Sequence, residues 1–213
     1  MTRGFFITLE GSEGSGKSTQ AKWLARVLRR VGYTVEEVQD PGSTSLGRRL
    51  RNVLLHDGGH RLSPIIEALL FIAGRAALVE ERVRPAVARG AVVISDRFHD
   101  STMAYQGSAG QLDVRWLDDL GRRAIGGTMP DLTIVLDVPT REGFARLRRS
   151  KDRIERKPRQ FHERVRRGFL AAAKREPRRV VVVDATQPAD AVHDAIVQIV
   201  HARLSRGQRG GAR

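Results

Sequence analysis

Five short runs of β-branched and apolar residues punctuate the chain: "FFITLEG" from Phe5, "YTVEEV" from Tyr33, "AVVISD" from Ala91, "DLTIVLDV" from Asp131 and "RVVVVDA" from Arg179. Several are nearly continuous rather than alternating, the pattern of strands covered on both faces of a parallel sheet. Between them the apolar positions recur with helical period. Lys17 to Val31 puts Ala21, Leu24, Val27, Leu28 and Val31 on one stripe, and Gly32 ends it. A longer helix is expected from the Ser63-Pro64 pair, a capping residue followed by proline at the first helical position, to about Arg89 before Gly90. Further helices are expected near 114–125, 140–150, 160–175 and 188–204. Strand-helix alternation of this kind predicts an α/β fold of three layers, a five-stranded parallel sheet flanked by helices with right-handed crossovers. One domain is expected over residues 1–204, followed by a disordered basic tail at 205–213, "SRGQRGGAR" being the sole low-complexity piece.

Composition bounds the setting. At 213 residues and 40% apolar content the chain is long enough to bury a core, and it has no cysteine, which removes disulfides and thiolate metal sites. No apolar run reaches membrane-spanning length and "MTRGFFITLEG" lacks a signal-peptide core, so a cytoplasmic protein without a membrane anchor is expected. The net charge of +14 invites a nucleic-acid reading. Its placement weakens that reading. Arg141 to Arg179 holds 16 basic and 5 acidic residues, Arg203 to Arg213 adds 4 basic and none acidic, and the remainder, 18 basic against 19 acidic, is neutral. The excess is therefore either one local device or a solvated arginine-rich face.

"GSEGSGKS" adds chemistry. Gly11, Ser12, Glu13, Gly14, Ser15, Gly16, Lys17 and Ser18, with Thr19 next, match GxxxxGKS directly after the first strand and at the start of the first helix. Such a match arises by chance about five times in a thousand chains of this length. Glycines let backbone N–H groups turn around phosphate oxygens, and the helix N-terminus adds partial positive charge. Lys17 is expected to reach the β- and γ-phosphates of ATP, and the Ser18 hydroxyl to bind Mg²⁺. The third strand ends in Asp96-Arg97, and carboxyl ends of strands in an open sheet are where ligands bind. A nucleotide-driven motor would be expected to end this strand in paired acids; an arginine suits an anionic phosphoryl acceptor that must be held against the γ-phosphate. The alternative for this pair is a salt bridge at a strand end. Phe71 and Arg75, four positions apart on the long helix, share a face that can stack on a base and donate to its carbonyl, or can be a core phenylalanine beside a surface arginine.

Taken in order, "EGSEGSGKSTQ", "PGSTSLGRRLRNVLL", "LLFIAGRAALVEE", "SDRFHDSTMAYQG", "PDLTIVLDV", "DRIE" and "DATQP" resemble the bacterial thymidylate kinases, over roughly residues 5 to 200. The resemblance implies a P-loop nucleoside monophosphate kinase with a short mobile lid at about 146–160, transfer of the γ-phosphoryl of MgATP to dTMP to give dTDP, and a homodimer. It implies that Phe71 stacks on thymine and Arg75 bonds its O4. Arg97 then binds the acceptor phosphate, and Asp96 positions Mg²⁺ or its waters. Ser101 and Thr102 line the base side, Tyr105 closes under the deoxyribose with Gln106 nearby, Glu13 orients the acceptor, and Gln187 in "DATQP" borders adenine.

In some members of that family an arginine follows the P-loop acid; this chain has Gly14. The resemblance then implies that a lid arginine supplies the missing charge. "RLRRSKDRIERKPRQFHERVRR", Arg146 to Arg167, holds eleven Lys or Arg against three acids. Arg153 of "DRIE" is the first candidate, with Arg148 and Arg149 as alternates, Arg149 also able to lie against adenine. Where the family usually reads Arg-Glu-Pro-Gly-Gly-Thr, this chain has "QDPGST": Gln39, Asp40 and Ser43 replace arginine, glutamate and glycine. That change keeps a kinase of another or modified pyrimidine deoxynucleotide in view. A rival of another class, a nucleic-acid-binding NTPase, has only Phe161 for base stacking in the basic segment and lacks the paired acids, so nucleic acid is not an expected partner.

Overall fold

The structure, a computed structural model, describes residues 3–56, 62–147 and 152–210, with side chains as far as 205. Five parallel strands, β1 (Phe5–Glu10), β2 (Val35–Gln39), β3 (Val92–Asp96), β4 (Leu132–Asp137) and β5 (Val180–Asp184), line up in the order β2-β3-β1-β4-β5. All five fall on the expected runs. The near-continuous apolar strands are explained by cover on both faces: Ile7 and Leu9 of β1 pack with Leu24, Leu28, Ile196 and Val200 on one side, while Phe6 packs with Val79, Val83 and Phe98 on the other.

Helix α1 (Lys17–Arg30) buries Ala21, Leu24, Ala25 and Leu28; Val31 falls just past its end and is exposed, so the apolar stripe stops one turn earlier than its pattern suggests. Two helical stretches were not anticipated. Helix α2 (Ser45–Leu55) starts after Thr44, whose Oγ1 accepts from the Gly47 N–H at 2.9 Å. A second runs from α5 (His99–Thr102) into a π-helical segment, Met103–Ala109. The long helix expected to reach Arg89 is α3 (Pro64–Leu78), a π-helical turn (Val79–Val83) and α4 (Arg84–Ala88). Pro85 has no N–H to donate to the preceding turn, and the hydrogen-bond ladder widens just before it. Then follow α6 (Val114–Ala124), α7 (Thr140–Ala145), α8 (Arg159–Arg175) and α9 (Ala189–Gly210), which continues past the end expected at 204.

β1 and β3 lie side by side at the centre of the sheet, with Leu9 opposite Asp96. Their carboxyl ends carry the glycine-rich loop and the Asp96-Arg97 pair, so the sheet order itself brings the two motifs together. No described helix is long and apolar enough to cross a membrane.

Candidate active site

The loop from Gly11 to Gly16 turns with Gly11, Gly14 and Gly16 at positive φ before α1 begins. Gly14 is fixed by more than its φ of 67°: a β-carbon there would stand 1.8 Å from the Gly143 carbonyl oxygen of α7, and one on Gly143 would stand 2.2 Å from the Glu13 carbonyl oxygen. Two backbones touch, and only glycine fits on either side. Ser12 and Ser15 are buried in the loop, and Lys17 Nζ donates to Ser12 O at 2.7 Å and Ser15 Oγ at 3.1 Å. Burial, with the charge of Arg97 beside it, lowers the Lys17 ammonium to about 8. The next residue, Ser18, donates its hydroxyl to the Asp96 carboxylate. These are hard oxygen donors at the mouth of the loop, the donor chemistry that suits Mg²⁺, which binds through a few protein oxygens, waters and phosphates.

Arg97 holds a φ of 70°, left-handed backbone in a residue with a β-carbon. Strain of this kind costs about 1–3 kcal/mol and persists only where neighbours impose it. Arg97 N donates to Leu9 O at 3.0 Å, and Arg97 O accepts from Ser95 Oγ at 2.6 Å. The bent backbone turns the guanidinium toward the glycine-rich loop. Nη1 reaches Gly11 O at 3.3 Å and Ser101 Oγ at 3.1 Å; Nη2 reaches the Tyr105 hydroxyl at 3.1 Å and lies 3.9 Å from Glu13 Oε1.

Glu13 sits at the meeting point. Tyr105 donates its hydroxyl to Oε1, and Oε2 lies 3.0 Å from His162 Nδ1 of α8. Burial alone would raise this carboxyl, but the His162 hydrogen bond and the Arg97 charge outweigh it and hold it at about 2. Burial raises the Tyr105 phenol well above its ordinary value, so it stays a donor. Below them Glu10 accepts from Phe98 N at 2.7 Å and from Ser101 N and Oγ, and burial, then the nearby Asp100 charge, raises it to about 7.

One cleft of about 310 Å³ runs from this cluster to α3. That is near the lower end of the ~300–1,000 Å³ of small-molecule sites. Glu13, Gly14, Gly16, Lys17, Ser18 and Thr19 line one end, with Asp96 and Arg97 beside them; Phe71 and Arg75 line the other, and Ser101, Thr102, Tyr105 and Gln106 form a side wall. Arg75 Nε donates to Asp40 Oδ2 at 2.5 Å and Nη1 to Thr102 Oγ1 at 2.9 Å, so the guanidinium is part of the wall rather than a surface group.

Gln187 and Arg153 are placed otherwise than expected. Gln187 does not line the cleft; its amide donates to Asp184 in the exposed turn after β5. Arg149, with Arg148, lies outside the described residues. Arg153 is described, but its Nε donates to Leu54 O at 2.7 Å and its Nη1 to Glu67 Oε1 at 2.8 Å, while its neighbours Asp152, Ile154 and Glu155 line the cleft.

Sequence reasoning passed over Arg51, Glu10, His162 and Glu67. Arg51 lines the cleft and donates to Pro41 O, a place its register on the unforeseen α2 would have disclosed. Of the others only Glu10, the charged end of an apolar strand, gave a local signal; His162 and Glu67 take their meaning from partners far along the chain.

The Thymidylate kinase family model matches residues 9–196. The chain is 48% identical over 208 residues to the thymidylate kinase of Thermomicrobium roseum, covering 96% of this chain and 98% of that one. With the thymidylate kinase of Caulobacter vibrioides it shares 45% over 206 residues, 96% and 99% of the two chains. The crystal structure of thymidylate kinase from Ehrlichia chaffeensis superposes with a TM-score of 0.76 at 32% identity, covering 93% of this chain and 99% of that one. A glycine-rich phosphate loop, an arginine beside it and a pocket bounded by Phe71 and Arg75 thus occur in a chain that belongs to the thymidylate kinase family.

Proposed function

We propose that this protein transfers the γ-phosphoryl group of ATP to the phosphate of dTMP, giving dTDP and ADP. The observation that carries the reading is the continuity of a single cleft from Lys17 and Ser18, past Arg97, to Phe71 and Arg75. A phosphate loop alone would serve any nucleotide hydrolase; a second, base-sized compartment reached past a fixed arginine serves an acceptor nucleotide.

Lys17 and the loop amides bind the β- and γ-phosphates. Ser18 and Asp96 hold Mg²⁺, which when bound neutralises charge on the phosphates. Arg97 takes the acceptor phosphate, offsetting the repulsion between two anions, and its hydrogen bonds to Gly11 O, Ser101 and Tyr105 fix it before substrate arrives. Glu13 at about 2 is too weak a base to take a proton at neutral pH, so it positions Tyr105 and Arg97. Phe71 stacks on the base, Arg75 donates to its O4, and Ser101, Thr102 and Gln106 enclose it. The loop has no room for an arginine at Gly14, so the cation that meets the equatorial oxygens comes from the lid. Arg153 is proposed for this role and Arg149 for the adenine side with Gln187; Arg153 must first leave Glu67 and Leu54 O.

A homodimer is proposed as well. Ile66 and Leu69 on α3 and Trp116 on α6 are exposed, on two helices packed together through Ala68, Met103 and Leu117. A cytoplasmic location fits the absence of cysteine from the sequence. The test of the activity is ADP formation with dTMP, dUMP, dCMP and dGMP as acceptors beside water alone; preference for another nucleotide would favour a different acceptor, the reading that Asp40 and Ser43 kept in view.

A further inference from the structure

Glu67 lies on the first turn of α3 and is 1% exposed, yet it does not line the cleft. Its carboxylate collects donors from two other elements. Gln106 Nε2, from the π-helical wall of the acceptor compartment, donates to Oε2 at 3.1 Å. Arg153 Nη1 donates to Oε1 at 2.8 Å, and Lys157 Nζ reaches Oε1 at 2.9 Å and Oε2 at 3.0 Å, both from the lid segment. The same segment is tied at Arg153 N to Leu55 O at 3.1 Å and at Arg153 Nε to Leu54 O, and the Lys157 ammonium lies 4.6 Å from the centroid of the Phe161 ring.

A buried carboxylate costs free energy unless charge and hydrogen bonds offset it, and here two cations and an amide do so. The amide comes from the compartment that takes the acceptor base and the cations from the segment that covers the triphosphate. Among the described residues, both bind the one Glu67 carboxylate. An acceptor that shifts Gln106 therefore alters the bond network that holds Arg153, and an Arg153 drawn to phosphate returns its share of the carboxylate to Gln106 and Lys157.

We propose that Glu67 is a positioning residue that couples occupancy of the acceptor compartment to the placement of the lid arginine. In the empty protein it keeps Arg153 off the cleft, and so limits transfer of the γ-phosphoryl group to the oxygen of water, which would yield ADP and inorganic phosphate. The inference rests on the dTMP kinase reading above.

The test compares the full chain with Glu67→Ala and Glu67→Gln. The quantity read is the rate of ATP hydrolysis without acceptor divided by the rate of transfer to dTMP, alongside KM for dTMP, KM for ATP and the thermal melt. Glutamine keeps an oxygen for Gln106 but loses the charge that retains Arg153; alanine loses both. The expected result is a hydrolysis-to-transfer ratio raised about tenfold in both variants. KM for dTMP should rise more in alanine than in glutamine, with KM for ATP unchanged. A lowered melt with an unmoved ratio would reduce Glu67 to a structural ion-pair partner and overturn the inference, and glutamine, which preserves shape, decides the matter if alanine fails to fold. Parent protein that makes no dTMP-dependent ADP would instead sink the reading on which the inference rests.

Discussion

Arg75 and Asp40 form an ion pair whose side chains are only 2% and 0% exposed, with Nε 2.5 Å from Oδ2. Asp40 belongs to "QDPGST", the segment that runs from the end of β2 to the start of α2. Its buried partner is the guanidinium proposed to read the base. Asp40→Asn leaves that guanidinium buried without a counter-charge. The expected cost is about 3–5 kcal/mol of stability by urea denaturation. KM for dTMP should rise about tenfold while that for ATP holds, since the anchored group faces only the acceptor. Equal changes in both constants would argue against a role confined to the base side.

The backbone contact at Gly14 makes a sharper expectation. Even a methyl group would overlap the Gly143 carbonyl, so Gly14→Ala should push the loop away from α7 and abolish detectable ATP binding in calorimetry. Gly143→Ala should do the same from the other side. Wild-type affinity in either variant would show that the contact yields, and the case for a cation delivered by the lid would lose its steric support.

Lys17 titrates near 8 in the empty loop because burial, and then the Arg97 charge, disfavour its ammonium form. A bound triphosphate favours that form and raises the value. Above pH 8, binding must therefore restore a proton the empty protein has lost, so affinity for a non-hydrolysable ATP analogue should fall by about tenfold per pH unit from there upward and stay level below 7. An affinity constant flat from pH 7 to 9.5 would mean that Lys17 keeps its proton in the empty loop.

Arg153→Ala should lower kcat by about a hundredfold or more with ATP affinity nearly unchanged, the pattern of a cation used only in the transition state. The variant should also melt lower, because the side chain ties the lid segment to Leu54 O and Glu67. A kcat within a few-fold of the parent would leave Arg153 as a tether and pass the catalytic role to Arg149 or Arg148.

The strands and the phosphate loop were legible because their signals are local: a continuous apolar run reads as a doubly covered strand, and GxxxxGKS carries its own geometry. Helix α2 and the stretch from His99 to Ala109 were less so. Ser45–Leu55 follows a turn-rich segment, and the other is short and widened into a π-helix, so neither shows a long apolar stripe. Asp96 and Arg97 could be placed beside the loop from strand ends alone. The partners of Arg97 could not, since Tyr105 and Glu13 meet it only through a left-handed backbone that no pattern announces in a non-glycine residue. His162 reaches Glu13 across 149 positions, and Arg153 reaches Glu67 across 86; pairings of that span belong to the folded chain.

The most direct measurement is a coupled assay of ADP release with MgATP and the full chain, run with dTMP and with water as the sole acceptor. ADP release strongly stimulated by dTMP, the stimulated part matched mole for mole by dTDP, is the expected result. ADP released at the same rate without dTMP would contradict the assignment of the Phe71 and Arg75 compartment to an acceptor nucleotide.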